Sequence, residues 1–191
     1  IKASDHYKKQ KTITPYGFLK HNIPIVVGDI TITPYLCDHS AFDSYMLFCE
    51  AEGESILYTG DFRSNGRKSF DRLLKSLPKN VDKLLCEGTT LSRVNHKAVT
   101  EAELEEEAAT LFRETTGPIF VLQSSMNIDR IVTMYRAAKR SGRISLEEVY
   151  MADIATAAGE SIPNPEFSDV YAFITSPSKF FTFSNTPGTI A

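Results

Sequence analysis

The chain has 191 residues, a net charge of −3 with histidine neutral, 42% hydrophobic residues and 24% charged residues. This is the make-up of a soluble globular chain with one large domain or two modest ones, and it excludes bulk disorder. Proteins that coat nucleic acid nonspecifically are usually basic, so the acidic balance argues against that class. A local basic patch would still suffice for a nucleic-acid substrate.

No apolar run approaches the roughly 18 residues that a membrane span needs. Nothing at the start reads as a signal peptide. The chain opens on Ile1 in IKASDHYKKQK, and the expectation is a piece cut from a longer polypeptide. Cys37, Cys49 and Cys86 are odd in number, never spaced C-x-x-C, and set among apolar neighbours. They read as buried free thiols in a reducing, cytoplasmic setting.

Residues 1–11 are polar and read as the end of a helix. IPIVVGDITITPYL, 23–36, predicts two strands around Gly28-Asp29. SYMLFCEA (44–51) and SILYTG (55–60) predict a hairpin across a Glu-Gly turn. SFDRLLKSL, 69–77, places Phe70, Leu73, Leu74 and Leu77 at helical spacing. VDKLLCEG, 81–88, reads as a short buried strand.

Thr100 with Glu103 three residues on forms a capping box for a helix with acids in its first turns. Its acidic stretch, 101–107, reads as a solvent face, and Gly117-Pro118 ends it. IFVLQSS, 119–125, reads as a continuous apolar strand. MNIDRIVTMYRAAKRSG, 126–142, reads as a helix with a basic end and a stop at Gly142. EEVYMAD, 147–153, reads as another strand. Beyond Ile162 the pattern weakens. Alternation of buried strands and amphipathic helices argues for α/β layers in the second part. A soft boundary falls near residue 88.

Three strand ends carry reactive residues: His39 in CDHSAFDSYM, Asp61 in YTGDFR and Glu87 in LLCEGTT. If His39 precedes one hairpin strand and Asp61 follows the other, both lie at one open end. Imidazole and carboxylate together suit zinc or manganese, and a bound divalent ion makes hydroxide available near neutral pH. The same pattern also fits a hydrogen-bonded structural histidine and a turn-forming aspartate. Asp38 and Asp43 flank His39, either as partners of its free ring nitrogen or as local turn acids.

Ser124 and Ser125 end the apolar run and open the helix that carries Asn127 and Arg130. They read either as contacts for an anion at a helix N-terminus or as simple N-caps. Arg63, Arg67 and Lys68 follow Asp61 in a basic loop, where Arg63 could meet a polyanion or simply face solvent. His96 has no matching partner in the sequence.

In order, DHSAFDSYMLFCE, ILYTGDFRSNGRKSF, VDKLLCEGTTLSR and FVLQSSMNIDRIVTMYRAAK resemble the β-CASP group of metallo-β-lactamase-fold hydrolases, which includes ribonuclease J-like enzymes. The resemblance covers roughly residues 23–145. It implies part of a metallo-β-lactamase αββα sandwich over 1–88, followed by part of a β-CASP parallel-sheet insertion over 89–191. It implies His39 as a metal histidine, Asp61 as the aspartate bridging two metals, and Glu87 as the acid opening the insertion, with Asp61 and Glu87 as the catalytic residues. It further implies two zinc ions, with manganese as the other candidate, and RNA as substrate. Ser124, Ser125 and Arg63 would then lie toward the substrate phosphate.

The family's His-x-His-x-Asp-His motif has no counterpart among histidines 6, 21, 39 and 96. Two ligands do not make a closed zinc site. The expectation is therefore a hydrolase as parent, and a 191-residue chain that binds zinc weakly or not at all and is inactive alone. The other readings are a non-catalytic scaffold of the same fold and a hydrolase of a small ester or thioester. An exposed apolar sheet face would favour self-association into a homo-oligomer.

Overall fold

The computed structural model describes residues 17–89, 91 and 98–173, and the strand at 189–190. The expected helix end at 1–11, His6 and His96 lie outside the described residues. The chain divides into two compact units, one within Thr12–Val99 and one within Thr100–Ala191. The described residues make a mixed α/β protein with four helices.

In the first unit β1 (Ile25–Val27), β2 (Ile30–Leu36), β3 (Tyr45–Ala51) and β4 (Glu54–Tyr58) run antiparallel in order. A crossover containing α1 (Phe70–Ser76) then adds β5 (Lys83–Leu85) parallel to β4. The turns are where the sequence expects them. Gly28 has φ 61°, and Glu52 and Gly53 have φ 52° and 80°. Two consecutive left-handed residues match the right-handed twist of a two-residue hairpin.

Register decides which side chains become core. Thr33, Phe48 and Leu57 stand side by side, as do Tyr35 and Met46. Tyr35, Cys37, Met46, Phe48, Leu57 and Leu73 form a buried cluster, with Phe62, Phe70, Leu77 and Val81 packed on it. The Phe62 and Phe70 rings stack at 5.8 Å, nearly parallel. On the other face Ile32, Cys49 and Ile56 align, while Val27, Ile30, Tyr58 and Leu85 are exposed.

Two expectations change here. The 81–88 strand forms, but Lys83, Leu84 and Leu85 are all exposed. It is an outer strand of the sheet, bonded among the described residues to β4, and α1 packs toward β2. All three thiols are free, yet only Cys37 is buried, and Cys86, just past the edge strand, is exposed.

In the second unit β6 (Ser145–Glu148), β7 (Val170–Phe173) and β8 (Thr189–Ile190) form a parallel sheet in that order. The helices are α2 (Glu101–Glu114), α3 (Ile128–Arg140) and α4 (Val149–Ala158). The capping box forms as read: Glu103 N–H donates to Thr100 Oγ1 at 3.1 Å and Thr100 N–H to Glu103 Oε2 at 2.8 Å. Ala108, Ala109 and Phe112 of α2 pack on Ala137 and Ala138 of α3.

Three readings are corrected in this unit. The apolar run 119–125 joins no sheet, and Phe120 and Leu122 are 95% and 104% exposed. Hydrophobic runs suggest a strand, but only a ladder partner makes one. The strand expected at 147–153 ends at Glu148, whose side chain accepts from Tyr150 N–H at 2.8 Å and caps α4. Val149, Ala152 and Ala155 are the buried positions of α4, a three-residue spacing that overrides the strand preference of Val-Tyr.

The third correction concerns the acidic stretch of α2, where Glu103, Glu106 and Glu107 are exposed as expected but Glu101 is not. Glu101 is buried, receiving Arg130 Nε and Nη2 at 3.2 and 3.1 Å and the Thr133 hydroxyl at 2.6 Å. Glu106 takes both Arg140 Nη atoms, at 2.6 and 2.8 Å. No helix among the described residues is long and apolar enough to cross a membrane.

Candidate active site at the strand ends

β2 and β4 point the same way because both are antiparallel to β3, and β5 follows β4. Their carboxyl ends therefore emerge along one edge of the sheet. Residues 37–39, 59–61 and 86–87 leave from that edge, carrying His39, Asp61 and Glu87. Open α/β sheets commonly place their ligands outside the carboxyl ends of strands.

Backbone pairing continues past the strands. Thr59 N–H donates to Leu85 O at 3.0 Å, and Glu87 N–H to Thr59 Oγ1 at 3.2 Å. Glu87 then reaches across to the Asp61 loop, where Phe62 N–H donates to its Oε1 at 3.0 Å. The Thr89 hydroxyl donates to Oε2. These bonds, the Thr89 hydroxyl foremost, hold the Glu87 carboxyl below its ordinary range, and the nearby His39 adds to the effect. Glu87 is thus an ionised clamp on the residue after Asp61.

His39 is half-buried, and its Nδ1 accepts from Ala41 N–H at 3.4 Å. In a neutral ring that leaves the proton on Nε2. A metal taken at Nε2 would require the proton to move to Nδ1 and the Ala41 bond to be given up. Asp61 is exposed, and its carbonyl oxygen lies 3.9 Å from Cys37 Sγ. Burial pushes the Cys37 thiol up, with Lys68 pulling the other way, so this sulfur stays protonated at neutral pH.

The least expected member is Asp38. Its side chain is 1% exposed. Oδ2 accepts from Gly66 N–H at 2.8 Å and from Arg63 Nε at 3.1 Å. Oδ1 accepts from Lys68 N–H at 3.4 Å, and the Asp38 carbonyl from Arg63 N–H at 2.8 Å. Arg63 is thereby drawn inward onto a carboxylate, with 19% of its side chain exposed. Asp43, with φ 53°, sits exposed in the turn before β3.

Ser124 and Ser125 belong to the second compact unit. Ser124 Oγ accepts from Met126 N–H at 3.3 Å. The N-cap of α3 is neither serine but Asn127, whose Oδ1 accepts from Arg130 N–H at 3.2 Å. Arg130 is held by Glu101.

The donor types at the strand ends suit a divalent ion, but the donor number does not. Among the described residues no three His, Cys, Asp or Glu side chains converge closely enough to hold one. The cluster offers an incomplete set. Sequence reasoning singled out His39, Asp61 and Glu87, and it read Asp38 as a partner of the His39 ring or a local turn acid, whereas its carboxylate is bonded to Arg63, Gly66 and Lys68. The one local signal for it is Gly66 in the charged loop DFRSNGRK, a position where a side chain proves to be excluded.

No family model matches the chain. Over 136 residues it is 28% identical to ribonuclease J of Helicobacter pylori, in strains 26695, B128 and J99 alike. That match covers 66% of this chain and 19% of the relative, so the chain spans about a fifth of the length of these curated proteins. A solved structure, a protein of unknown function from Enterococcus faecalis V583, shares the fold with a TM-score of 0.68 and 20% identity. It is matched over 94% of this chain and 45% of its own. The class these comparisons define is a mixed α/β fold. The sequence likeness within it is to a ribonuclease J-like family.

Proposed function

We propose that this chain forms part of a metal-dependent ribonuclease that hydrolyses RNA phosphodiesters. The observation that supports the reading is that His39, Asp61 and Glu87 follow the carboxyl ends of three co-directional strands, along one edge of the sheet. The ribonuclease J likeness supports the substrate class and the hydrolytic chemistry. In this reading the first unit is a portion of a metallo-β-lactamase-type sandwich. The second is a portion of a β-CASP-type insertion, consistent with its parallel sheet. The setting is cytoplasmic.

His39 and Asp61 are the residues that would hold zinc or manganese, completed by donors outside the described cluster. Such an ion, when bound, lowers the pKa of its water to about 7 and supplies hydroxide at neutral pH. Glu87 does not act as a proton donor, because its hydrogen bonds favour the ionised form; it fixes the backbone beside Asp61. Arg63 holds the loop through Asp38; Ser124 and Ser125 belong to the second unit and are candidate anion contacts of that unit.

End-labelled RNA incubated with the full protein and Mn²⁺ or Zn²⁺ tests the reading. Cleavage that disappears in Asp61→Ala, with folding retained, is the expected result. Equal cleavage by the variant would remove Asp61 from the chemistry. No cleavage by either protein would favour a non-catalytic scaffold.

A further inference from the structure

We propose that Asp38 is a positioning residue that holds the Asp61 loop in fixed register with His39. The inference rests on the reading of His39 and Asp61 as partners in one site, and it adds the device that keeps them together.

The argument starts with the cost of burial. An ionised carboxylate with 1% of its side chain exposed is tolerated only when charge and hydrogen bonds replace its lost water. Here three donors come from one segment. Arg63 Nε, Gly66 N–H and Lys68 N–H converge on the two carboxylate oxygens, and Arg63 N–H takes the carbonyl of the same residue. If the loop leaves, the carboxylate loses these partners together. Loop closure and the pairing of Asp38 with these three donors are therefore one event.

Steric fit says the same. A Cβ added to Gly66 would lie 2.2 Å from Asp38 Oδ2 and 2.6 Å from its Cγ. The loop backbone rests on the carboxylate with no room for a methyl group. The platform beneath is rigid, because Cys37 is buried in the core cluster and its N–H donates to Ser44 O at 2.9 Å. His39 follows Asp38 directly, and Asp61 precedes the clasped segment by two residues. Glu87 holds that segment from its other side through Phe62 N–H. The two carboxylates thus pin the loop from opposite flanks, and neither needs to touch a reacting atom.

The test uses the isotopically labelled full chain and amide hydrogen exchange. In Asp38→Asn, exchange at Arg63, Gly66 and Lys68 should accelerate roughly tenfold or more, the scale of losing a charge-assisted bond. Amides of Phe48 and Leu57, in the central strands, should keep their wild-type rates. Gly66→Ala, which leaves the carboxylate intact, should give the same local pattern and guards against a poorly folded Asp38 variant. Unchanged exchange in both variants, or acceleration spread evenly over the sheet, would overturn the proposal.

Paramagnetic broadening by Mn²⁺ supplies a readout that a purely structural contact would not move. His39 and Asp61 signals should broaden together in the wild type and require roughly tenfold more Mn²⁺ in Asp38→Asn. An identical Mn²⁺ dependence in the two proteins would contradict the positioning role. If neither signal responds in the wild type, the metal reading of the site fails, and the exchange data still decide the role of Asp38.

Discussion

Each unit of the molecule buries a carboxylate on or beside its sheet, and the two are treated in opposite ways. Asp38, at the end of β2, is surrounded by N–H donors and an arginine. Glu147, on β6, is 4% exposed, and its Oε2 has no hydrogen-bond partner. Burial without compensation pushes its pKa up to about 8. The difference shows that burial alone does not set the charge of a carboxylate. The donors the chain folds around it do.

The largest effect expected from breaking this contrast is on the Asp38 side. Asp38→Ala removes the buried carboxylate on which Arg63, Gly66 and Lys68 converge and should cost about 3–5 kcal/mol in the first unit. Denaturant unfolding followed by a probe within that unit measures it. A loss well under 1 kcal/mol would mean that the clasp is dispensable.

Next comes Glu147, with the opposite sign. The folded state keeps its proton up to about pH 8, whereas an unfolded glutamate releases it near 4.3. Between these values the folded state binds more protons, so stability falls as pH rises across that window. Glu147→Gln is neutral in both states and should stabilise the second unit at pH 7 by up to about 3 kcal/mol. Its unfolding curves should also lose the decline between pH 4.3 and 8. A variant less stable than the wild type at pH 7 would point to a hidden partner for the carboxylate.

A smaller effect belongs to the α2 cap. Thr100→Ala removes the acceptor for Glu103 N–H and should cost about 1 kcal/mol, read as a drop in the melting temperature of the second unit. The smallest is at Leu122, fully exposed in the segment that forms no strand. Leu122→Ser should leave stability unchanged. A clear loss would show that this residue is covered in solution.

Most of the local structure was legible because its causes are local. Alternation marked β2, β3 and β4, Glu52-Gly53 marked the hairpin, and Thr100 with Glu103 marked the start of α2. The reactive strand ends followed from these. What the sequence could not show depends on distant partners. The exposure of β5 follows from its place at the sheet edge. The 119–125 run lacks a ladder, and α4 emerges from burial at Val149, Ala152 and Ala155. Asp38 meets Gly66 from 28 residues away, and Glu87 meets Phe62 from 25, and no spacing rule predicts either contact. Glu101 read as a solvent acid because Arg130 and Thr133 lie on another helix.

The most direct measurement is anomalous diffraction at the manganese edge from crystals of the full protein grown with Mn²⁺. A peak about 2.0–2.2 Å from both a His39 ring nitrogen and an Asp61 carboxylate oxygen is what the account predicts. An ordered strand-end edge with no peak, or a metal bound elsewhere that touches neither residue, would contradict it.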